Sequence, residues 1–370
     1  MADESIAAVY YVNKNGFCMN RFSAALFFLS VLLSPSQILA AATTTPGIAS
    51  DPTPAQVLAA STAKIECPVF PKIATDYQTK FLAPMQTWSR QHLNKLGTKK
   101  VTYLFSGADV VTPLALFNTA DHFILIADQI PEYTPPQEIS RPQIAKECQT
   151  QAYFARYGYF RTHDLEGKDS VRPRFVKMLA YSILMSGGAI GKVNYLSIAS
   201  DGKLEIRDNP AGVKPDGIRF YVTTTDKRAV MVDYLRMNLS NGGLNAEPRL
   251  QQFLSSHTSD TIFIKSASHL LQKNYFSVLA GLITDHARSV VQDETGLDIE
   301  LFSKYYQIES YGKFLRPHPL WHDSPSGVRL RDFLSAKNTL QPLPFTIGYE
   351  KTSGSVLLVG TRLQRNAQTH

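Results

Sequence analysis

The sequence lacks a bilayer-length apolar segment: the run Phe22 to Leu33 falls short of the about 20 residues that a spanning helix needs, and no stop-transfer pattern follows it. That argues against a membrane anchor. Cysteine is scarce, with three in 370 residues and no C-x-x-C, so a redox motif is not indicated. The G-x-S-x-G elbow of serine hydrolases and the H-E-x-x-H motif of zinc proteases are also missing.

The short apolar run does have a use. Met19, Asn20 and Arg21 precede it, Ser34, Pro35 and Ser36 follow, and Ala40, Ala41 and Ala42 come next. Basic, apolar, helix-breaking and small is the order of a secretory signal peptide, with cleavage expected after Ala40 or Ala42. Asp3 and Glu4 do not suit the start of a signal, so residues 1–18 read as an upstream extension with Met19 as the expected start. The domain plan is therefore an extension and signal over 1–42, a flexible Ala-, Thr- and Pro-rich leader over 43–64, and a single α/β domain over 65–370. A periplasmic or secreted location follows.

Lys and Arg number 38 against 31 Asp and Glu; the region before Thr43 contributes two of each, so the remainder keeps the balance of +7. Such an excess favours anionic surroundings without naming one. Cys18 is lost with the signal, which leaves Cys67 and Cys148, and an even pair in an oxidising compartment reads as one disulfide.

Tyr77, Phe81, Met85, Trp88 and Leu96 fall at helical spacing before Gly97, predicting an amphipathic helix bent at Pro84. Val101 to Phe105 and His122 to Ala127 are apolar without alternation, as in strands buried on both faces, and between them lie a turn and a short helical stretch. That is a βαβ unit. A second such phrase runs through Thr261 to Ile264, a helical stretch His269 to His286, and Ser289 to Val291. The two phrases resemble each other as halves of a duplication would, and equally as any two strands that end in small residues. Residues 174–186 read as a helix closed by Gly187 and Gly188. Two β-hairpins are expected, around Ser200 to Gly202 and around Thr225 to Lys227. The fold class is α/β: a mixed sheet with parallel βαβ units plus antiparallel hairpins, and helices packed on its faces.

Several chemical patterns stop short of a site. The Ser106–Gly107 turn, with Asp128 about 20 residues on, has the outline of a nucleotide fold, but one glycine stands where a pyrophosphate turn carries several. Ser61 to Lys64 fits S-x-x-K and Lys351 to Gly354 partly matches K-T-G, without an S-D-N element between them. His318 and His322, with Asp323 adjacent, have a metal-ligand spacing, but Pro317 and Pro319 forbid a regular helix there. His163–Asp164 and Asp285–His286 assemble no triad. Arg156 to Arg161 interleaves arginine with aromatics, as stacking on bases or sugars would need, but nucleic acid is not expected as a partner outside the cell. No cofactor and no metal are predicted.

Tyr103 to Asp109 (YLFSGAD), Lys265 to Leu271 (KSASHLL) and Gln292 to Gly296 (QDETG) carry a resemblance to a group of exported bacterial proteins of unknown function. It covers most of residues 65–365, agrees with export and implies no activity, so it transfers no catalytic residue.

Ligands of open α/β sheets sit beyond the carboxyl ends of parallel strands. Ser106, Gly107 and Asp109 after the first strand, with Lys265, Ser266 and Ser268 after its counterpart, are therefore expected to line one shared crevice. The expected function is non-catalytic binding of an envelope ligand or protein in that crevice. The alternative is an envelope hydrolase using a serine or carboxylate there.

Overall fold

In the computed structural model, residues 70–128, 152–158, 174–207, 215–316, 325–337, 340–349 and 354–364 are described, all within one compact unit, Ala49–His370. The expected signal and leader, Cys18, Cys67, Cys148, Ser61 to Lys64, His163–Asp164, His318, His322, Asp323 and Lys351 lie outside the described residues.

The apolar runs without alternation become the centre of a ten-stranded sheet. In chain order its strands are β1 (Lys100–Leu104), β2 (His122–Asp128), β3 (Ala189–Ile198), β4 (Leu204–Arg207), β5 (Gly217–Thr223), β6 (Ala229–Met237), β7 (Thr261–Ile264), β8 (Ser289–Gln292), β9 (Tyr306–Gly312) and β10 (Val356–Arg362). Across the sheet they run β4-β3-β5-β6-β2-β1-β7-β8-β10-β9. The five middle strands, β6-β2-β1-β7-β8, are parallel, and every pairing outside them is antiparallel. The expected α/β class with mixed pairing is what the protein has, and both predicted hairpins are present as β3–β4 and β5–β6.

Among the described residues ten α-helices accompany the strands: α1 (Phe70–Tyr77), α2 (Ala83–His92), α3 (Val111–Leu116), α4 (152–157), α5 (Arg174–Met185), α6 (Asn241–Ala246), α7 (Pro248–His257), α8 (Ser277–His286), α9 (Ile299–Tyr305) and α10 (Pro325–Ser335). Each face of the sheet has its own core. Val101, Tyr103, Phe123, Leu125 and Val232 meet α1 to α5, while Leu104, Ile124, Ile126, Leu235 and Ile262 meet α6 to α10. With both faces covered, a central strand needs apolar residues at every position, which explains the runs. Among the described residues no helix is long and apolar enough to cross a membrane.

The expected bend at Pro84 is a π-turn, Gln78–Leu82, joining α1 to α2, in which Ala83 N–H reaches back to Gln78 O. Proline has no N–H for the usual ladder, and widening the turn absorbs the loss. One expectation fails. Residues 269–276 are two 3-10 turns, and only Ser277–His286 is α-helix. His269 sits in the left-handed region (φ 57) and Lys273 is extended, so the chain cannot propagate a helix through them. Gln272 Nε2 instead donates to Glu294 O (3.3 Å) and Gly296 O (3.1 Å), stapling this stretch to the end of β8.

Candidate functional site at the strand ends

From β1 the chain crosses to β2 on one side, and it later returns as β7 on the other. The order of the parallel strands therefore reverses between β1 and β7, and their carboxyl ends lie side by side, Leu104 in register with Ile264. The two turns that follow are adjacent. Four of the five non-glycine residues with positive φ among the described residues cluster there: Phe105 (57), Ser266 (53), Ser268 (52) and His269 (57). Each such residue costs of order 1 kcal/mol, and that strain persists only where the surroundings over-determine it.

Asp109 and Lys265 meet across the two turns in an ion pair, both side chains 2 % exposed. Asp109 Oδ1 accepts the Thr112 N–H (3.1 Å) in the first turn of α3, and Oδ2 accepts the Tyr103 hydroxyl (3.1 Å). Lys265 Nζ also donates to Thr112 Oγ1 (3.2 Å) and to Gly158 O at the end of α4, and lies 5.9 Å from the centre of the Phe154 ring. These two charges are enclosed, with every strong partner supplied by the chain itself.

The serines differ. Ser106 is buried and its hydroxyl donates to Gly107 O (3.1 Å). Gly107 turns the chain at φ 53, a conformation that suits glycine. Ser266 and Ser268 are partly exposed. Ser266 N–H donates to Asp293 Oδ2 (2.6 Å), its carbonyl accepts the Tyr349 hydroxyl (3.0 Å), and its own Oγ has no hydrogen-bond partner. Ser268 Oγ shares a hydrogen bond with the same tyrosine hydroxyl (3.2 Å).

A carboxyl pair that sequence reasoning passed over completes this end. Asp293 is fully buried and Glu294 is 4 % exposed. Asp293 Oδ1 accepts Thr295 N–H (2.8 Å) and Thr295 Oγ1 (2.6 Å); the Glu294 carboxyl meets backbone amides alone, its own and that of Tyr349, whose N–H reaches Oε1 at 3.4 Å, and its Oε2 has no partner. Burial pushes Asp293 up despite its bonds from Thr295 and Ser266. Burial, with the Asp293 charge beside it, pushes Glu294 well above the ordinary range for glutamate. The signal was in view as adjacent acids closing an apolar strand.

A second overlooked cluster lies within the sheet. Asp233 of β6 is fully buried, and its carboxylate accepts Arg219 Nε (2.6 Å) and a second guanidinium N–H (2.7 Å) while meeting His122 Nε2 at 2.7 Å. Burial would raise this acid; the hydrogen bonds from Arg219 and His122 more than offset it and hold Asp233 below the usual carboxylate range. Its sequence signal is an acid in the middle of a mainly apolar strand. An open groove of about 670 Å³ lies between α8 and α9, lined by Lys273, Ser277, Asp298, Lys304 and Arg329 among others, and includes none of the six expected crevice residues. Among the described residues no group of three or more His, Cys, Asp or Glu could hold a metal ion.

No family model matches the chain, and no curated protein is found to match it.

Proposed function

We propose that this is an exported envelope protein, similar to a group of exported bacterial proteins of unknown function, that binds a ligand or partner at the carboxyl ends of β1 and β7 without acting on it chemically. The observation that carries the reading is the concentration of left-handed residues at the point where strand order reverses. Open α/β sheets bind their ligands at such points, and stored backbone strain gathers at binding clamps. Gly107, Ser266 and Ser268 are the contact residues in this reading. The buried Asp109–Lys265 pair joins the two turns, while the buried Ser106 hydroxyl bonds Gly107 within its own turn.

The strand order also suits a nucleotide, but the turn after β1 has a single glycine and the Asp109–Lys265 pair fills the space under it. The hydrolase alternative draws on Asp293 and Glu294 beside Ser266. Against it, neither Ser266 nor Ser268 has a histidine partner among its hydrogen bonds.

Thermal-shift screening of the purified protein against NAD, S-adenosylmethionine, acidic oligosaccharides, short peptides and anionic phospholipid vesicles tests the reading. A hit should vanish in Ser268→Phe, with its circular dichroism spectrum unchanged. A hit indifferent to that change moves the functional surface elsewhere, and labelling of Ser266 or Ser268 by a fluorophosphonate replaces binding by hydrolysis. Export is tested by N-terminal sequencing of the secreted form, where an intact Met1 defeats it. The Cys67–Cys148 bond is tested by non-reducing peptide mapping.

A further inference from the structure

Tyr349 covers the two partly exposed serines of the proposed binding surface, and what holds it there is unusual. Gly348, at φ +68, lies directly over the buried carboxyl pair: a Cβ at that position would stand 2.7 Å from Asp293 Oδ2 and 3.0 Å from Glu294 Oε2. One residue further, the Tyr349 N–H reaches Glu294 Oε1, and its hydroxyl bonds Ser266 O and Ser268 Oγ. Just upstream the chain is anchored independently, by Phe345 edge-on to Trp88 (5.4 Å between ring centres) and by the Ile347 N–H donated to Ser355 Oγ (3.0 Å). Gly348 and Tyr349 therefore follow directly on a fixed base.

We propose that Gly348 and Tyr349 form a proton-controlled cover over Ser266 and Ser268, closed while the Asp293–Glu294 pair keeps a proton and opened when that proton leaves. The inference rests on the strand-end reading for its purpose, though not for its physics.

The charge balance makes the case. The charge that acts on Glu294 is that of Asp293 at the end of β8, and Tyr349 of the cover lies beside both acids; Lys265, just after β7, and Tyr103 of β1 act on Asp293. Lys265 is committed to Asp109, Thr112 Oγ1 and Gly158 O. Tyr103 donates to Asp109, and His269 Nδ1 meets Gln272 Oε1 (2.8 Å). Asp293 uses its oxygens on Thr295 and Ser266. A second ionised carboxylate at Glu294 would thus sit against the first with backbone amides alone, its own and that of Tyr349 at 3.4 Å, to offset burial. Buried charges without partners are expelled to water or protonated. The backbone of the cover is what lies against both carboxyls at Gly348, so a charge gained there acts first on the cover.

Hydrogen–deuterium exchange on the purified full chain, corrected for intrinsic rates, is the test. As pH rises from mildly acid to alkaline, protection of amides in 266–269 and 348–349 should fall by about tenfold per unit once the proton begins to leave, since each unit changes the ratio of closed to open about tenfold. Amides of 262–264 should hold. Glu294→Gln, which keeps the shape without the proton, should retain protection over the whole range. Gly348→Ala, whose methyl would collide with both carboxyls, should be exposed at every pH. Flat protection in the wild type, or the same fall in Glu294→Gln, overturns the cover. No ligand is needed, so the cover fails or stands separately from the binding reading.

Discussion

Asp233 and Glu294 are both acids buried against the same sheet, yet their chemistry runs in opposite directions. Asp233 lies beside Arg219 and His122, whose hydrogen bonds outweigh the cost of burial and hold it ionised. Glu294 lies beside another acid and a backbone amide, so burial prevails and the proton stays. Both acids are buried, so depth does not separate the two cases; the partner does. At the strand ends Asp109 is paired with the cation of Lys265, and three ways to break these arrangements separate the kinds.

The largest effect is expected from Lys265→Ala. It strips the cation from a pair that is 2 % exposed on each side and leaves Asp109 buried without it, a change that costs about 3–5 kcal/mol. Urea denaturation should show it. Replacing both partners, as in Asp109→Ala with Lys265→Met, should recover much of the loss, because an uncompensated charge is worse than none. Equal destabilisation by the single and double changes would mean that the turns are held by packing rather than by the pair.

Next are the pH arms of stability. Asp233 has a depressed folded value, so its contribution is present above the unfolded carboxylate's titration and is lost as pH falls through the folded one. Asp233→Asn should flatten the acid arm. Glu294 has a raised value, so its contribution is full below the unfolded titration and is lost as pH rises through the folded one. Glu294→Gln should flatten the alkaline arm and, where the wild type has lost that contribution, be the more stable by about 1–3 kcal/mol, the scale of a buried group without its partner. Identical pH profiles for the two variants would erase the contrast between the acids.

The legibility of the sequence divides along the same line. β1, β2, β7 and β8 were readable because burial on both faces writes an apolar run, and the residues ending them could be named because a strand end needs small polar ones. The hairpins were readable from their turns. β9 and β10 were not read, since β10 joins the sheet by inserting between β8 and β9 across more than 60 residues of chain, which no local pattern encodes. The helix expected from His269 failed for a related reason: the side chain of Gln272 is taken up by carbonyls of the turn after β8. Asp293 and Glu294 were visible as letters. Their burial depends on Gly348 and Tyr349 arriving from a distant segment, and Asp233 becomes a cluster only when β5 and β2 flank β6.

The smallest expected effect bears most directly on whether the strand ends are a site. Ser268 holds φ 52, a conformation that glycine adopts without penalty and that costs a serine about 1 kcal/mol. Its hydroxyl offsets part of this through Tyr349 at 3.2 Å, a long and partly exposed bond. Glycine also has more freedom to lose from the unfolded chain, which works against it. Relief of strain is the larger of these terms, so Ser268→Gly should leave stability unchanged or raise it by up to about 1 kcal/mol in urea denaturation. A serine retained at a position where glycine would fold better is explained by what its hydroxyl contacts. If Ser268→Gly gains stability and weakens the ligand found in the thermal-shift screen, the strain is there for binding; if it loses more than about 1 kcal/mol, the Tyr349 contact holds the turn together and Ser268 is scaffold like Asp109 and Lys265.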